Sequence, residues 1–119
     1  MKITIPHDCD NAPKRRIVKD FVISAYQQQW QEVEEILDNN FNLISFGKNS
    51  IETFEELKNH FSQISKFEEL VINEILSHGK FAACNGSIKL KSKTVHFAYF
   101  IEFKSAGKNT ISKIKEYRI

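Results

Sequence analysis

The chain has 119 residues, of which 41% are hydrophobic and 27% are charged, so it is long enough for one domain with a substantial core. Its two cysteines, Cys9 and Cys84, are far apart and form no CxxC motif, which excludes a disulfide-rich scaffold and favours free thiols in a reducing compartment. Neither the start of the sequence nor any later stretch has a signal-peptide or membrane-spanning apolar run. We therefore expect a cytoplasmic protein with no membrane partner.

The net charge of +2 conceals an uneven distribution. Residues 1–79 have eight Lys/Arg and thirteen Asp/Glu, whereas residues 80–119 have nine and two. A basic C-terminal third could attract nucleic acid. However, its basic and aromatic residues are not interleaved into a nucleic-acid-binding motif. The charge pattern instead favours a sheet with lysines on its solvent face, and we expect no nucleic-acid partner.

The first part of the chain predicts two helices. Asn11 is a candidate N-cap, Pro13 suits the first helical turn, and apolar residues recur at helical spacing as far as Tyr26. A second, shorter apolar stripe runs from Trp30 to Leu37, and the polar stretch "DNN" after it indicates the end of the helix.

A short strand and a third helix follow. The stretch "FNLISFG" predicts a strand over residues 41–46 that is closed by Gly47. In "TFEELKNHFSQI", Thr53 and Glu56 form a capping-box pattern, and the apolar residues behind them lie on one helical face.

From about residue 67 onward the pattern indicates a four-stranded antiparallel meander. Its third strand, residues 94–104, alternates between two sets of residues: Phe97, Tyr99, Ile101 and Phe103 on one face, and His96, Ala98, Phe100 and Glu102 on the other. The turn at 105–109 leads into the last strand. The predicted fold class is α+β, with helices gathered on one face of a curved sheet.

The dipeptide Asn85-Gly86 allows two interpretations. It is a strong signal for a two-residue hairpin turn, which would divide residues 81–91 into two very short strands. It is also compatible with a bulge or bend inside one long strand. The alternation from Cys84 to Leu90 continues through the dipeptide without a change of phase, which favours the bend.

The order of elements, with "YQQQWQEVEEILDNNFNLISFG", "TFEELKNHF" and "HFAYFIEFKSAGKNTISKIKEYRI", resembles the cone-shaped fold of nuclear transport factor 2 (NTF2). SnoaL-like polyketide cyclases and ketosteroid isomerase share this fold. "IPHDCDNAPKR" and "HGKFAACNGSIKLK" resemble more closely a bacterial subgroup of small members whose function is not established. The resemblance implies a single NTF2-like (SnoaL-like) domain over residues 1–119, with residues 1–11 as an N-terminal arm. It also implies three N-terminal helices packed in the concavity of a curved, mixed, mainly antiparallel sheet.

The same resemblance implies a cavity inside the cone that binds a small hydrophobic or aromatic molecule. The residues predicted to line it are Phe21, Tyr26, Trp30, Leu43, Ser45, Phe61, Cys84, Phe97, Tyr99 and Ile101. Family members often dimerise through the outer face of the sheet. The predicted homodimer interface therefore contains His96, Ala98, Phe100 and Glu102. No cofactor is expected.

Catalytic residues of known relatives are not retained. Ketosteroid isomerase uses an aspartate base and an oxyanion hole made by a tyrosine and a protonated aspartate. The resemblance places Ser45 at the base position, Phe21 at the tyrosine and Tyr99 at about the second aspartate, so this mechanism is not expected. Epoxide-hydrolase relatives use an Asp–Arg–Asp arrangement, and we expect the inward strand positions to supply neither residue type.

Other catalytic candidates are weak. His60, beside the apolar Phe61, is either a general base at the cone mouth or an ordinary helix-flank residue. Tyr99 could still donate a hydrogen bond, and Ser45 could orient a substrate. The stretch "HDCD" gathers potential metal ligands, among them His7 and Cys9, but no second ligand cluster completes a site, so no metal is expected.

These patterns leave three candidate functions, in the following order. The first is a binding module for a small apolar ligand. The alternative is an isomerase, lyase or cyclase type of enzyme with a non-standard site, using His60 or Tyr99 for proton transfer. The second alternative is a homodimeric protein-interaction domain built on the outer face of the sheet around Phe100.

Overall fold

The chain folds into one open, mixed seven-stranded sheet whose concave face is covered by three helices. The structure is a computed structural model that describes residues 2–6, 12–47, 50–64 and 66–119. Of the described residues, twenty-five hydrophobic ones form a single buried cluster between the helices and the sheet. The predicted α+β architecture is confirmed.

The three helices are α1 (Pro13–Tyr26), α2 (Trp30–Ile36) and α3 (Phe54–Ser62). Pro13 occupies the first turn of α1 as predicted, because its missing N–H would have no partner there in any case. Ala12, rather than Asn11, holds the N-cap position, and it provides no side-chain cap. Asn11 itself lies outside the described residues.

Helix α3 begins with the predicted capping box. The Thr53 hydroxyl accepts a hydrogen bond from the Glu56 backbone N–H at 3.2 Å, and the Glu56 carboxylate accepts one from the Thr53 backbone N–H at 3.2 Å. This reciprocal pair fixes the start of the helix. As a result α3 presents Leu57, His60 and Phe61 to the interior.

The seven strands lie in the order β1-β4-β5-β6-β7-β2-β3 across the sheet. Their bounds are β1 Lys2–Thr4, β2 Leu37–Ser45, β3 Ser50–Ile51, β4 Glu69–His78, β5 Phe81–Lys89, β6 Thr94–Ser105 and β7 Lys108–Arg118. The pairs β1–β4 and β2–β7 are parallel, and the other neighbours are antiparallel. Strands β4 to β7 form the predicted meander.

Three local predictions differ from the structure. Helix α2 ends at Ile36 and Leu37 already begins β2, whereas the apolar stripe predicted a helix through Leu37 with the strand starting at residue 41. Pairing of Leu37 with Ile111 of β7 decides this, because a tertiary contact outweighs the weak helical preference of one residue. The edge strands β1 and β3 were not predicted, since two or three residues are too few to show alternation. Strand β1 lies within the predicted N-terminal arm.

Asn85 and Gly86 lie inside one continuous strand, so the interpretation of a single long strand is correct and the hairpin turn is excluded. The irregularity is on the partner strand, where the β4–β5 register shifts between Ile72 and Glu74. A Cβ atom on Gly86 would overlap the Val71 carbonyl oxygen. Glycine is therefore required at this position by close approach of β4.

The two predicted faces of β6 are confirmed. Phe97, Tyr99, Ile101 and Phe103 are buried, whereas Phe100 is 52% exposed on the opposite face. Among the described residues, no helix is both long and apolar enough to cross a membrane.

Candidate functional site

A carboxylate lies at the centre of the cone interior. In β7 the alternation that turns Ile114 inward also turns Glu116 and Arg118 inward, and Glu116 is 0% exposed. Burying an ionised carboxylate is costly unless it is paired and hydrogen-bonded. The groups around Glu116 must therefore supply a counter-charge and hydrogen-bond donors.

Three hydroxyl and imidazole groups donate hydrogen bonds to Glu116. Ser45 Oγ and His60 Nε2 donate to Oε1 at 2.8 and 2.7 Å, and the Tyr99 hydroxyl donates to Oε2 at 2.7 Å. Ser45 and Tyr99 are the direct cross-strand neighbours of Glu116 on β2 and β6. His60 reaches the carboxylate from α3. Three elements thus converge on a group that is carried by a fourth, β7.

A second tyrosine extends the network. The Tyr26 hydroxyl, at the end of α1, lies 2.7 Å from the Tyr99 hydroxyl. Since Tyr99 donates its proton to Glu116, Tyr26 donates to Tyr99. Burial raises the pKa of Tyr26 to about 12, and it raises the pKa of Tyr99 well above its ordinary value. Both hydroxyls are therefore protonated at neutral pH.

Arg118 supplies the positive charge. Its Nη2 lies 3.0 Å from Glu116 Oε2, and its guanidinium carbon lies 5.3 Å from the centre of the Phe61 ring and 5.7 Å from that of Tyr26. The side chain is 12% exposed. Nε and Nη2 are buried and make no well-aligned hydrogen bond among the described residues, but the guanidinium interacts with the Tyr26 and Tyr99 hydroxyls as well as with Glu116.

The partners of Glu116 keep it ionised. Burial raises the pKa of this carboxyl, but the His60 hydrogen bond, the charge of Arg118 and the Tyr99 hydrogen bond together hold the pKa below its usual value. Because an ionised carboxylate only accepts hydrogen bonds, His60 must carry a proton on Nε2. Nδ1 has no hydrogen-bond partner in the described part of the chain.

We call Ser45, His60, Tyr99, Tyr26, Glu116 and Arg118 the Glu116 cluster. Its chemistry is that of an oriented acid–base group. A carboxylate that fixes Nε2–H leaves the other imidazole nitrogen as a lone pair able to accept a proton. The cluster comes nearest to solvent at Arg118.

The structure brings together all three weak catalytic candidates from the sequence, namely His60, Tyr99 and Ser45. Sequence reasoning did not identify Glu116 and Arg118, and the expectation that inward strand positions supply no arginine is wrong for Arg118. The period-two pattern of "KIKEYR" places both residues on the Ile114 face. A sequence interpretation nevertheless assigns charged residues to the solvent face, because such residues are rarely buried.

Nine of the ten residues predicted to line a ligand cavity are buried, and Trp30 is half-buried. Several pack against one another through edge-on ring contacts, with ring centres 6.3 Å apart for Phe21–Phe61 and 5.1 Å apart for Tyr26–Phe61. Ligand binding by this set stays a prediction. Burial raises the pKa of the Cys84 thiol to about 12, consistent with a small core residue.

The outer face of the sheet bears a second feature. Phe46 stacks on Tyr117 with ring centres 4.1 Å apart, and Phe100 meets Tyr117 edge-on at 5.8 Å. These three side chains are 41–52% exposed. A cavity of about 340 Å³ opens beside them and is lined in part by Phe81 and Lys113.

Within the described ranges no group of three or more His, Cys, Asp or Glu side chains could hold a metal ion. The "HDCD" stretch, with His7 and Cys9, lies outside the described residues.

Comparison with solved structures identifies the fold. An NTF2-like protein of unknown function from Cytophaga hutchinsonii superposes with a TM-score of 0.66 at 16% identity, covering 89% of each chain. A candidate ketosteroid isomerase from Kribbella flavida gives 0.74 at 15% identity, covering 94% of this chain and 80% of that one. A candidate SnoaL-like polyketide cyclase from Shewanella denitrificans gives 0.70 at 6% identity, covering 89% and 90%.

No protein-family model matches the chain, and no curated protein matches it in sequence. The chain shares the fold of NTF2-like proteins, so the fold implied by the sequence resemblance is confirmed.

Proposed function

We propose that this chain, which has an NTF2-like fold, is a small-molecule enzyme of the isomerase or lyase type in which His60 transfers a proton. The observation that carries the proposal is the Glu116 cluster, where three elements converge on a buried carboxylate carried by a fourth. A buried ion network gives a fold little or no stability beyond what apolar packing would give. Ionisable groups held this way are more typical of sites that do chemistry.

The proposed reaction is proton abstraction next to a carbonyl group. His60 Nδ1 takes the proton from carbon, the C–H electron pair moves into the carbonyl, and an enolate forms. Returning the proton to another carbon completes an isomerisation, and loss of a neighbouring leaving group completes an elimination. Glu116 acts as a positioning residue, because it holds His60 Nε2–H at 2.7 Å and stabilises the imidazolium that forms.

The named enzymes among the similar structures support the same class of chemistry. One is a candidate ketosteroid isomerase and another a candidate polyketide cyclase. At 15% and 6% identity they share a fold with this chain and carry no information about its substrate.

Exchange of carbon-bound hydrogen tests the proposal without knowledge of the natural substrate. Phenylacetone is incubated with the protein in D2O, and loss of its benzylic proton signal is followed by NMR. We expect the wild-type protein to accelerate exchange, and His60→Gln to lower the rate by about 10²–10⁴-fold, the usual contribution of a general base. The matched control is His78→Gln, which alters an exposed histidine at the end of β4.

An exchange rate in His60→Gln equal to that of wild type contradicts the proposal. Glu116→Gln should also lower the exchange rate, because the imidazole loses its orienting charge and can adopt the tautomer in which Nδ1 already carries the proton. If phenylacetone shifts protein resonances and no exchange is accelerated, the binding-module function replaces the enzymatic one. Circular dichroism spectra of each variant verify that it is folded.

The exposed aromatic face favours a second function, a homodimer formed by two copies of the outer sheet face. Phe46, Phe100 and Tyr117 form a continuous apolar surface, and the nearby Lys113 and Glu102 have opposite charges, so two copies related by a two-fold axis can pair them. Phe100→Asp should give monomers by light scattering at a concentration where the control Lys66→Asp stays dimeric. A monomeric wild-type protein, or a dimeric Phe100→Asp variant, contradicts this interface.

A further inference from the structure

The cavity of about 340 Å³ lies on the outer face of the sheet, on the opposite side from the Glu116 cluster. It is bounded by two adjacent rows of cross-strand neighbours on β5, β6 and β7. One row is Phe81, Glu102 and Lys113, and the other is Ala83, Phe100 and Lys115. Cavities of about 300–1,000 Å³ are typical of small-molecule sites. This one is therefore large enough to hold a small ligand.

The cavity continues across the sheet towards β4. A second cavity, of about 230 Å³, shares Phe81 and Phe100 with the first and extends to Leu76. Ala83 is the cross-strand neighbour of both Leu76 and Phe100, and its single methyl group leaves the space between those larger side chains open. We call the two cavities together the outer trough. Three strand intervals, about 14 Å, separate Leu76 from Lys115 along it.

The β4 end of the outer trough is apolar. Leu76 is 65% exposed, Phe81 53% and Phe100 52%, although all three are large hydrophobic side chains. Exposed apolar side chains that lie together commonly mark a binding surface. The length of the trough suits an extended acyl chain better than a compact ring.

The β7 end of the outer trough is basic. Lys113 and Lys115 are both exposed and have no ion-pair partner in the part of the chain that the structure describes. Glu102, the acidic residue of the lining, already pairs with Lys80 at 3.5 Å. Two positive charges are thus left unbalanced beside the apolar trough, and they attract an anion.

We infer that the outer trough binds a carboxylate with an unbranched apolar chain, the chemistry of a medium-chain fatty acid. The carboxylate lies beside the ammonium groups of Lys113 and Lys115, and the chain runs past Phe100 towards Leu76. A concave surface favours a free molecule over a lipid bilayer, because a bilayer is penetrated by side chains that protrude. Phe100 also belongs to the surface proposed for the homodimer, so the ligand and a second copy of the chain compete for it.

Three probes separate the head group from the chain: decanoate, the uncharged decanol, and the short-chain carboxylate butyrate. Binding to the full chain is followed by the shifts of assigned backbone amide signals in NMR spectra. We expect decanoate to shift signals of the outer trough and to bind about fivefold or more tightly than decanol, since exposed charge pairs contribute modestly. Butyrate should bind at least about tenfold more weakly than decanoate, because it buries fewer methylene groups.

Two sets of variants test the two ends of the outer trough. Lys113→Gln/Lys115→Gln should lower the affinity for decanoate about fivefold and leave that for decanol nearly unchanged. The matched control, Lys89→Gln/Lys91→Gln, removes two exposed lysines at the far end of β5 and just beyond it, and should bind decanoate like wild type. Ala83→Phe fills the trough and should weaken binding of decanoate and decanol alike, by about tenfold.

Several results would overturn the inference. They are no shift of outer-trough signals by decanoate, equal affinity for decanoate and decanol, and unchanged affinity in Lys113→Gln/Lys115→Gln. Shifts confined to the Tyr99 and Glu116 signals would place the ligand in the cone instead. A wild-type dimer that saturating decanoate does not dissociate would identify a second copy as the occupant, and binding to phosphatidylglycerol vesicles without binding of decanoate would identify a membrane surface. The hydrogen exchange assigned to His60 is unaffected by any of these results.

Discussion

Glu116→Gln should destabilise the protein through charge alone. Glutamine has the same shape, and its hydrogen bonds can be retained. Its carbonyl oxygen would replace Oε2 and keep the Tyr99 bond at 2.7 Å. Its NH2 group would replace Oε1, where the Ser45 hydroxyl can rotate to accept and His60 can change tautomer to accept.

Glutamine cannot supply the negative charge that balances Arg118. The Arg118 Nη2 lies 3.0 Å from Glu116 Oε2, and the arginine side chain is only 12% exposed. Removing one partner of a buried ion pair costs about 3–5 kcal/mol, because the other charge is left uncompensated. A domain of this size has about 5–15 kcal/mol of stability, so the variant should still fold. Arg118→Met should be destabilised to a similar extent for the same reason.

The double variant Glu116→Gln/Arg118→Met removes both charges and should recover most of the loss. The measurement is urea unfolding followed by circular dichroism, with ΔG extrapolated to water for wild type, both single variants and the double variant. A Glu116→Gln protein within about 0.5 kcal/mol of wild type would refute the reasoning. A double variant no more stable than the single variants would refute it equally.

The same variant gives a pH test. The folded pKa of Glu116 lies below its unfolded value, so its contribution to stability is present above the unfolded value of about 4.3 and is lost as pH falls through the folded pKa. Wild type should therefore lose stability on acidification over that range. The free energy of unfolding of Glu116→Gln should fall less steeply with acidification than that of wild type. An equally steep fall would contradict the assignment of this pH dependence to Glu116.

Three further predictions concern the core. The pKa of Tyr26 is raised from 10.0 to about 12, so wild type should lose about 3 kcal/mol of stability from this group between pH 10 and 12. Alkaline urea titrations of Tyr26→Phe should lack that part of the loss. Gly86→Ala should lower the free energy of unfolding by about 3 kcal/mol in thermal or urea unfolding, because its Cβ meets the Val71 carbonyl. The control Gly107→Ala, where an added Cβ has nothing within 4 Å, should be nearly neutral. Equal effects of the two substitutions would contradict the close approach at Gly86. The last prediction uses a protein in which the other cysteine is replaced by serine. Its Cys84 should react with Ellman's reagent at pH 8 about a thousandfold more slowly in the folded protein than in urea, because the pKa of about 12 suppresses the thiolate. A rapid reaction of the folded protein would show that the thiol is accessible.

The sequence by itself determined the elements whose cause is local. The capping box of Thr53 and Glu56 and the alternation of β6 each depend on residues a few positions apart, so helix α3 and the two faces of the aromatic strand could be predicted. The continuity of β5 through Asn85-Gly86 was also predictable, because an unbroken period-two pattern outweighed the turn signal. The inward position of Tyr99 followed from the same alternation, and that of Ser45 followed from the resemblance to the NTF2 fold.

The tertiary structure alone decided where β2 begins and what the site contains. Leu37 joins a strand because β7 pairs with it, and that contact comes from more than 70 residues along the chain. The local sequence predicts that Glu116 is a solvent-facing residue of a lysine-rich strand. Only the fold shows that Ser45, His60 and Tyr99 surround its carboxylate. A charge can occupy a core position only when distant residues supply its partners, and no single stretch of sequence contains that information.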